Sequence, residues 1–203
     1  EKEEGIKITS ENGKFIIDAG KTKAEFCLGS NHVIDNVIID GRLAANFGQL
    51  KYILEERSDQ GSYRTRKEED YIGRVDKIRV EEEGKLQSII RIDGIHEALD
   101  SKKESIPFIL RFTFAYNEPY IKIMHTFLYD GNASRDFMKA IGITFDCPIS
   151  GPLYNRHIKI SGDNGIFHEA SQLLLSWRPR LPKELYQLQN EGAILREDQM
   201  EDE

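Results

Sequence analysis

The sequence predicts an all-β fold, an antiparallel β-sandwich with one short C-terminal helix, and three observations carry that prediction. Short runs rich in β-branched and aromatic residues recur from end to end. Turn signals separate them: Asn12-Gly13, Asp40-Gly41, Glu83-Gly84, Asn117-Glu118-Pro119, Asp130-Gly131 and Asp163-Asn164-Gly165. Gly, Asn and Asp tolerate the positive φ that tight hairpins demand. No repeat, low-complexity tract or Pro/Ser-rich linker breaks the pattern, as expected of a sandwich.

Read in order, the strands are expected at about 6–9, 14–18, 23–28, 33–40, 49–57, 71–82, 85–95, 106–116, 120–129, 136–147, 156–160 and 166–170. The polar segment 58–70 (SDQGSYRTRKEED) reads as a loop. Pro182 suits a first helical turn, and Leu181, Leu185 and Leu188 follow at amphipathic spacing. The expected organisation is a single domain over 1–203, with a core over about 1–180 and a helix and charged tail over 181–203. The chain starts at Glu1 and stops at Glu-Asp-Glu, so it is expected to be part of a larger multidomain protein.

Composition bounds the function. Hydrophobic residues make up 39% and charged residues 31%, ordinary for a folded chain. A net charge of −7 argues against nucleic acid as a partner, because phosphate binding rests on clustered Lys and Arg. No apolar run approaches the roughly 18 residues of a membrane helix, so no membrane partner is expected. Cys27 and Cys147 permit one disulfide, and neither lies in a CxxC pair that would suggest zinc. No metal or other cofactor is expected. No Ser/His/Asp order, phosphate loop or HExxH pattern is present.

The most informative stretch is the hairpin over 106–116 and 120–129. A three-residue turn at Asn117-Glu118-Pro119 sets Tyr116 opposite Tyr120 and fixes every pair from there. One face then carries Phe108, Leu110, Phe112 and Phe114 with Met124, Thr126 and Leu128. The other carries Ile109, Thr113 and Ala115 with Ile121, Ile123 and Phe127, and on it Arg111 falls opposite His125. A strand pair apolar on both faces is buried on both, so a second layer or another domain should cover each side. A one-residue change in the loop would part Arg111 from His125.

Four residues are candidate ligand contacts, and no catalytic residue is assigned. Arg111 beside His125 could form a small anion site, since a guanidinium fork matches a carboxylate. The alternative is two partly buried residues satisfied by a carbonyl or by Asp93 or Glu97. Arg42 follows the Asp40-Gly41 turn and could meet a ligand or simply be solvated. Trp177, with Tyr154, Tyr186 and Arg178, offers a surface suited to stacking on a sugar or to packing. The run 130–136 (DGNASRD) alternates oxygen side chains as calcium loops do, but lacks the sixth-place glycine and the distal glutamate.

The segment Phe108–Asp130, with an Arg-bearing strand, a turn before a proline and a strand ending in His125-Thr126-Phe127, resembles the exo-rhamnogalacturonan lyase-like family. The runs 136–145, Val37–Arg42 and Ser88–Gly94 match in character and order, so the likeness spans about residues 14–175. The resemblance implies the N-terminal β-sandwich of a larger, secreted or periplasmic, carbohydrate-active protein, with helical and further β structure after it. Its implied partners are the C-terminal domains of the same parent chain and acidic oligosaccharide.

Three functions follow from these readings. The first is an accessory sandwich that packs on a catalytic domain of a polysaccharide lyase-like parent and contributes to a pectin-type, acidic-glycan cleft, without being catalytic alone. The second is an autonomous glycan-binding module, which needs exposed aromatic residues. The third is a self-contained catalytic domain, which needs a pocket holding a His or Tyr base beside Arg or Lys.

Overall fold

The computed structural model describes residues 4–57, 66–151, 156–163, 165–170, 187, 188 and 191. The strands are β1 (Lys7–Glu11), β2 (Lys14–Asp18), β3 (Thr22–Cys27), β4 (Ile34–Ile39), β5 (Arg42–Arg57), β6 (Arg66–Glu82), β7 (Gln87–Ala98), β8 (Glu104–Ala115), β9 (Ile121–Phe127), β10 (Asp136–Asp146), β11 (His157–Gly162) and β12 (Gly165–Ala170). Every expected strand has a counterpart. Two run several residues beyond their expected bounds. β5 starts at Arg42, directly after a turn whose Asp40 and Gly41 have φ of 49° and 76°. β6 starts at Arg66 inside the expected loop, because 66–72 pair with 51–57 of β5 and gain a ladder the local sequence does not reveal.

The chain divides into two compact units, 1–148 and 149–203. In the first, all pairings are antiparallel and run β1-β2-β3-β4-β5-β6-β7-β8-β9, with β10 added to β5. The register shows how this becomes a sandwich. Asn46 pairs with both Asn36 of β4 and Asp146 of β10, while Lys51 pairs with both Ile72 of β6 and Gly142 of β10. So β4 and β6 share one edge of β5, at opposite ends of that strand, and β10 lines the other edge. The ladder forks at β5 into a β1–β4 layer and a β6–β9 layer, as strands that switch sheets do in sandwiches. Phe47 at the fork has φ of 51°. Gly48 follows it, where a Cβ would lie 2.5 Å from Ile34 Cγ2 and 2.7 Å from a ring carbon of Phe145.

Alternation builds the core between the layers. Ile17, Ala24, Phe26, Ile34 and Val37 from the first layer meet Ile90, Ile92, Phe108, Leu110, Phe112 and Phe114 from the second. Phe26 makes edge contacts with Phe112 at 5.2 Å and Phe114 at 6.3 Å between ring centroids. Backbone bonds tie the layers as well: Asn117 N donates to Ala19 O at 2.6 Å and Ile6 N to Lys85 O at 3.0 Å. A second cluster, Tyr52, Leu54, Tyr71, Ala98 and Ile106, extends the core beneath Met138 and Ile141 of β10.

In the second unit β11 and β12 form a hairpin with Ile160 opposite Phe167, both exposed. The expected helix falls mainly outside the described residues; Gln187 and Leu188 are helical, and Glu191 N donates to Gln187 O at 2.9 Å. Both cysteines are free thiols, Cys27 half-buried and Cys147 exposed.

Candidate functional site

The structure corrects the pairing of Arg111 with His125. The register sets Arg111 opposite Met124 and His125 opposite Leu110, one residue away from the expected alignment. The cause lies in the turn. Tyr116 N donates to Leu86 O and Asn117 N to Ala19 O, drawing both residues away from β9, and Asn117 takes φ of 62°. Tyr116 therefore never pairs with Tyr120, and the last pair is Phe114 with Ile121. Because side chains alternate, one residue of slip sends the two candidates to opposite faces. The face assignment of β9 changes with it: Ile121, Ile123, His125 and Phe127 lie on the core side, and Lys122, Met124 and Thr126 on the outer side.

On the outer face Arg111 belongs to an ion-pair web. Arg79, Arg91 and Arg111 stand side by side across β6, β7 and β8. Like charges in such a row repel unless acids are interleaved. Glu81, displaced by a bulge between Val80 and Glu82, supplies one: Arg111 Nε donates to its Oε2 at 2.6 Å and Nη2 to Oε1 at 3.1 Å. Asp93 supplies the other, accepting from Arg91 Nη2 at 2.5 Å. The guanidiniums of Arg111 and Arg91 hold the Glu81 carboxyl below the usual carboxylate range. Arg111 thus already has its carboxylate, a partner that lies outside the sequence neighbourhood of the strand.

On the inner face the structure assembles a cluster that the sequence reading missed. His96 of β7 is fully buried, and its Nδ1 donates to the carbonyl of Ile106 at 2.6 Å. A carbonyl can only accept, so Nδ1 carries the proton and the neutral ring keeps Nε2 as a bare acceptor. His96 Nε2 and His125 Nε2 are both buried with no hydrogen-bond partner. Aromatic rings surround them: Phe108 lies 5.1 Å from His96 and 6.3 Å from His125, Tyr52 lies 5.7 Å from His96, and Phe127 lies 5.4 Å from His125. Burial pushes both imidazoles below the ordinary value, and for His125 the nearby His96 adds to the shift.

Ile106 itself is strained. It is fully buried and β-branched with φ of 52°, at the bulge where the β7–β8 register shifts. Its N–H donates to Asp130 Oδ1 at 3.1 Å, and Ser105 Oγ donates to the same oxygen at 3.2 Å. His96 and Asp130 therefore hold the two peptide groups that flank the Ile106 Cα. Nearby, burial pushes the Tyr52 hydroxyl up to about 12 and raises that of Tyr71, which donates to Glu69 at 2.8 Å. Both phenols keep their protons at neutral pH. His96 and Tyr52 were legible only as members of alternating strands; nothing local sets them together.

The remaining candidates lie apart. Arg42 opens β5, exposed, and makes no ion pair with a described residue. Trp177 and its companions Tyr154, Tyr186 and Arg178 lie outside the described residues. In the 130–136 run Asp130 is taken by Ser105 and Ile106, and other oxygens bind the loop's own amides: Asn132 N donates to Asp136 Oδ2 at 2.9 Å and Ser134 N to Asn132 Oδ1 at 3.0 Å. Among the described residues no group of His, Cys, Asp and Glu is arranged to hold a metal ion.

The strand leading to that loop carries exposed apolar side chains on both of its faces. Tyr120, Ile123, Met124, Phe127, Leu128 and Tyr129 are all exposed, Leu128 by 67%. Among the described residues β9 pairs only with β8.

Comparison with known proteins fits this architecture. A model of the PcRGLX-like protein central beta sandwich domain matches residues 6–203. That description makes the sandwich a central one, where the sequence reading expected the N-terminal portion. A protein of Bacillus subtilis (strain 168) described as uncharacterized protein YetA is 28% identical over 194 residues. The alignment covers 95% of this chain and 22% of the relative's length.

Proposed function

Since the chain belongs to the family of PcRGLX-like protein central β-sandwich domains, we propose that it is an accessory sandwich packing through the 120–129 strand against other parts of a larger carbohydrate-active polypeptide. The exposed apolar side chains that the edge strand presents between Tyr120 and Tyr129 carry this reading. Apolar patches of this kind mark interaction surfaces, and an unpaired strand edge adds a row of backbone donors and acceptors. The relative, of which the chain spans 22%, has ample further sequence to cover such a surface.

The same reading gives the domain a supporting place beside an acidic-glycan cleft of a secreted or periplasmic, lyase-like parent. Arg111 is a poor anion contact in that setting, because Glu81 already holds it in a bidentate pair. Arg42, without a described carboxylate partner, is the better candidate. Calorimetric titration of the parent polypeptide with rhamnogalacturonan oligosaccharides should show weaker binding on Arg42→Ala and little change on Arg111→Ala; the reverse order excludes this assignment.

Leu128→Asp tests the packing role. Leu128 is exposed in the chain alone, so the substitution should change the chain's own stability by no more than about 0.5 kcal/mol. In the longer polypeptide it should lower the unfolding midpoint clearly and raise hydrogen exchange over 121–127. Equal, small effects in both would refute the packing role.

A further inference from the structure

His96 and His125 flank Phe108 on the inner face of one layer, with their ring centroids 6.3 Å apart. His96 sits on β7, which is paired on both sides, whereas β9, the strand of His125, pairs among the described residues only with β8. We propose that this pair is an acid-sensitive latch for the edge strand: while both rings are neutral β9 stays docked on β8, and proton uptake releases it. This goes beyond the packing role above and is read on the chain by itself.

The surroundings leave an added proton without support. From β5 the pair is faced by Tyr52, from β6 by Tyr71 behind Tyr52, from β8 by Phe108 and the Ile106 carbonyl, and from β9 by Phe127. The ionisable groups that act on Tyr52 and Tyr71 are Glu69, held by Tyr71 and Ser101, Tyr129, which donates to the Asp136 carbonyl, and Asp130 and Asp136 on the segment joining β9 to β10. Asp130 is occupied by Ser105 and the Ile106 amide, and Asp136 by the Asn132 amide. No described carboxylate hydrogen-bonds either imidazole. Since His96 Nδ1 already donates to Ile106, a second proton must go to Nε2, which has no acceptor. A charge buried without a partner is expelled or solvated.

The cheapest route to water runs through the edge. Freeing β7 would break ladders to both β6 and β8, whereas freeing β9 breaks one, and the side chains of Ile123 and Phe127 are already partly exposed. Once β9 moves, His125 is solvated outright and His96 gains access through the gap. The sign follows from linkage. Rings that stay neutral when docked and titrate near 6.5 when released favour the released state as pH falls below 6.5, and leave the docked state undisturbed above it. At pH 5.5 each such ring favours release by up to about tenfold.

The test is hydrogen exchange of the chain at pH 7.5 and 5.5, corrected for the intrinsic rate, comparing 121–127 with β3 as reference. Protection over 121–127 should fall at pH 5.5, by up to about tenfold for each ring, with β3 unchanged, and His125→Phe, which cannot take a proton, should lose much of that response. Equal protection at both pH values, loss in step with β3, or an undiminished response in His125→Phe would overturn the latch. Should that variant not fold, imidazole resonances of the native chain decide: titration midpoints below 6.5 for both histidines support the latch, and a midpoint at or above 6.5 for His125 overturns it.

Discussion

Replacing Gly94 with alanine puts a methyl group where the β6–β7 ladder has no room. A Cβ there would stand 2.2 Å from the backbone carbonyl oxygen of Arg74, 2.5 Å from Phe108 Cζ and 3.0 Å from Phe108 Cε1. The Phe108 ring is buried and the carbonyl belongs to a paired strand, so neither neighbour can swing aside. Overpacking of this kind costs about 1–3 kcal/mol, and displacing a ladder carbonyl adds about 1 kcal/mol for the hydrogen bond. The expected loss is therefore about 2–4 kcal/mol, a large part of the roughly 5–15 kcal/mol that holds a domain folded. Gly142 of β10 offers the matched comparison. It also lies in a strand, pairing with Lys51, but nothing comes within 4 Å of an added Cβ. There the alanine only restricts the unfolded chain and should stabilise by up to about 1 kcal/mol. Urea unfolding of both variants, followed by far-ultraviolet circular dichroism, measures the two shifts. The same chemical change should move the midpoint in opposite directions. Equal shifts of one sign, or a Gly94→Ala loss under about 1 kcal/mol, would show that the β6–β7 ladder and the Phe108 ring are more pliant than the registers imply.

Further outcomes follow from the same geometry. Phe112→Ala removes a buried ring that meets Phe26 of the facing layer and should cost about 3–5 kcal/mol. Phe137→Ala, on an exposed ring capped by the Arg57 guanidinium at 4.1 Å, should cost no more than about 1 kcal/mol; the ratio of the two midpoint shifts checks that the core lies between the layers. Asp130→Ala strips the acceptor from Ile106 N–H and should lower stability by about 1–3 kcal/mol in chemical denaturation. Asp130→Asn, which keeps an acceptor oxygen, should recover most of that loss, and no recovery would deny the clamp on Ile106.

Much of the fold was legible because its signals are local. Turn dipeptides such as Asn12-Gly13 and Asp40-Gly41 announce positive φ, which all four of these residues adopt. Alternation in Phe108-Ile-Leu-Arg-Phe-Thr-Phe114 marks a buried face and does so correctly, with Phe108, Leu110, Phe112 and Phe114 all in the core. The candidate site was less legible. Arg111 and His125 share a hairpin, yet their separation hangs on one residue of register, and contacts from Leu86 and Ala19, which border other strands, set that register.

By itself, then, the order of residues determined the antiparallel strands and which side chains of β8 turn inward, since hairpin turns and two-residue periodicity act over a few positions. Only the tertiary structure decided that β5 serves both layers, that Glu81 neutralises the arginine row, and that His96, His125 and Tyr52 meet in one apolar cluster. Those outcomes join residues far apart in the chain, and the free energy that selects them comes from packing and from satisfying buried polar groups, neither of which leaves a mark on neighbouring sequence.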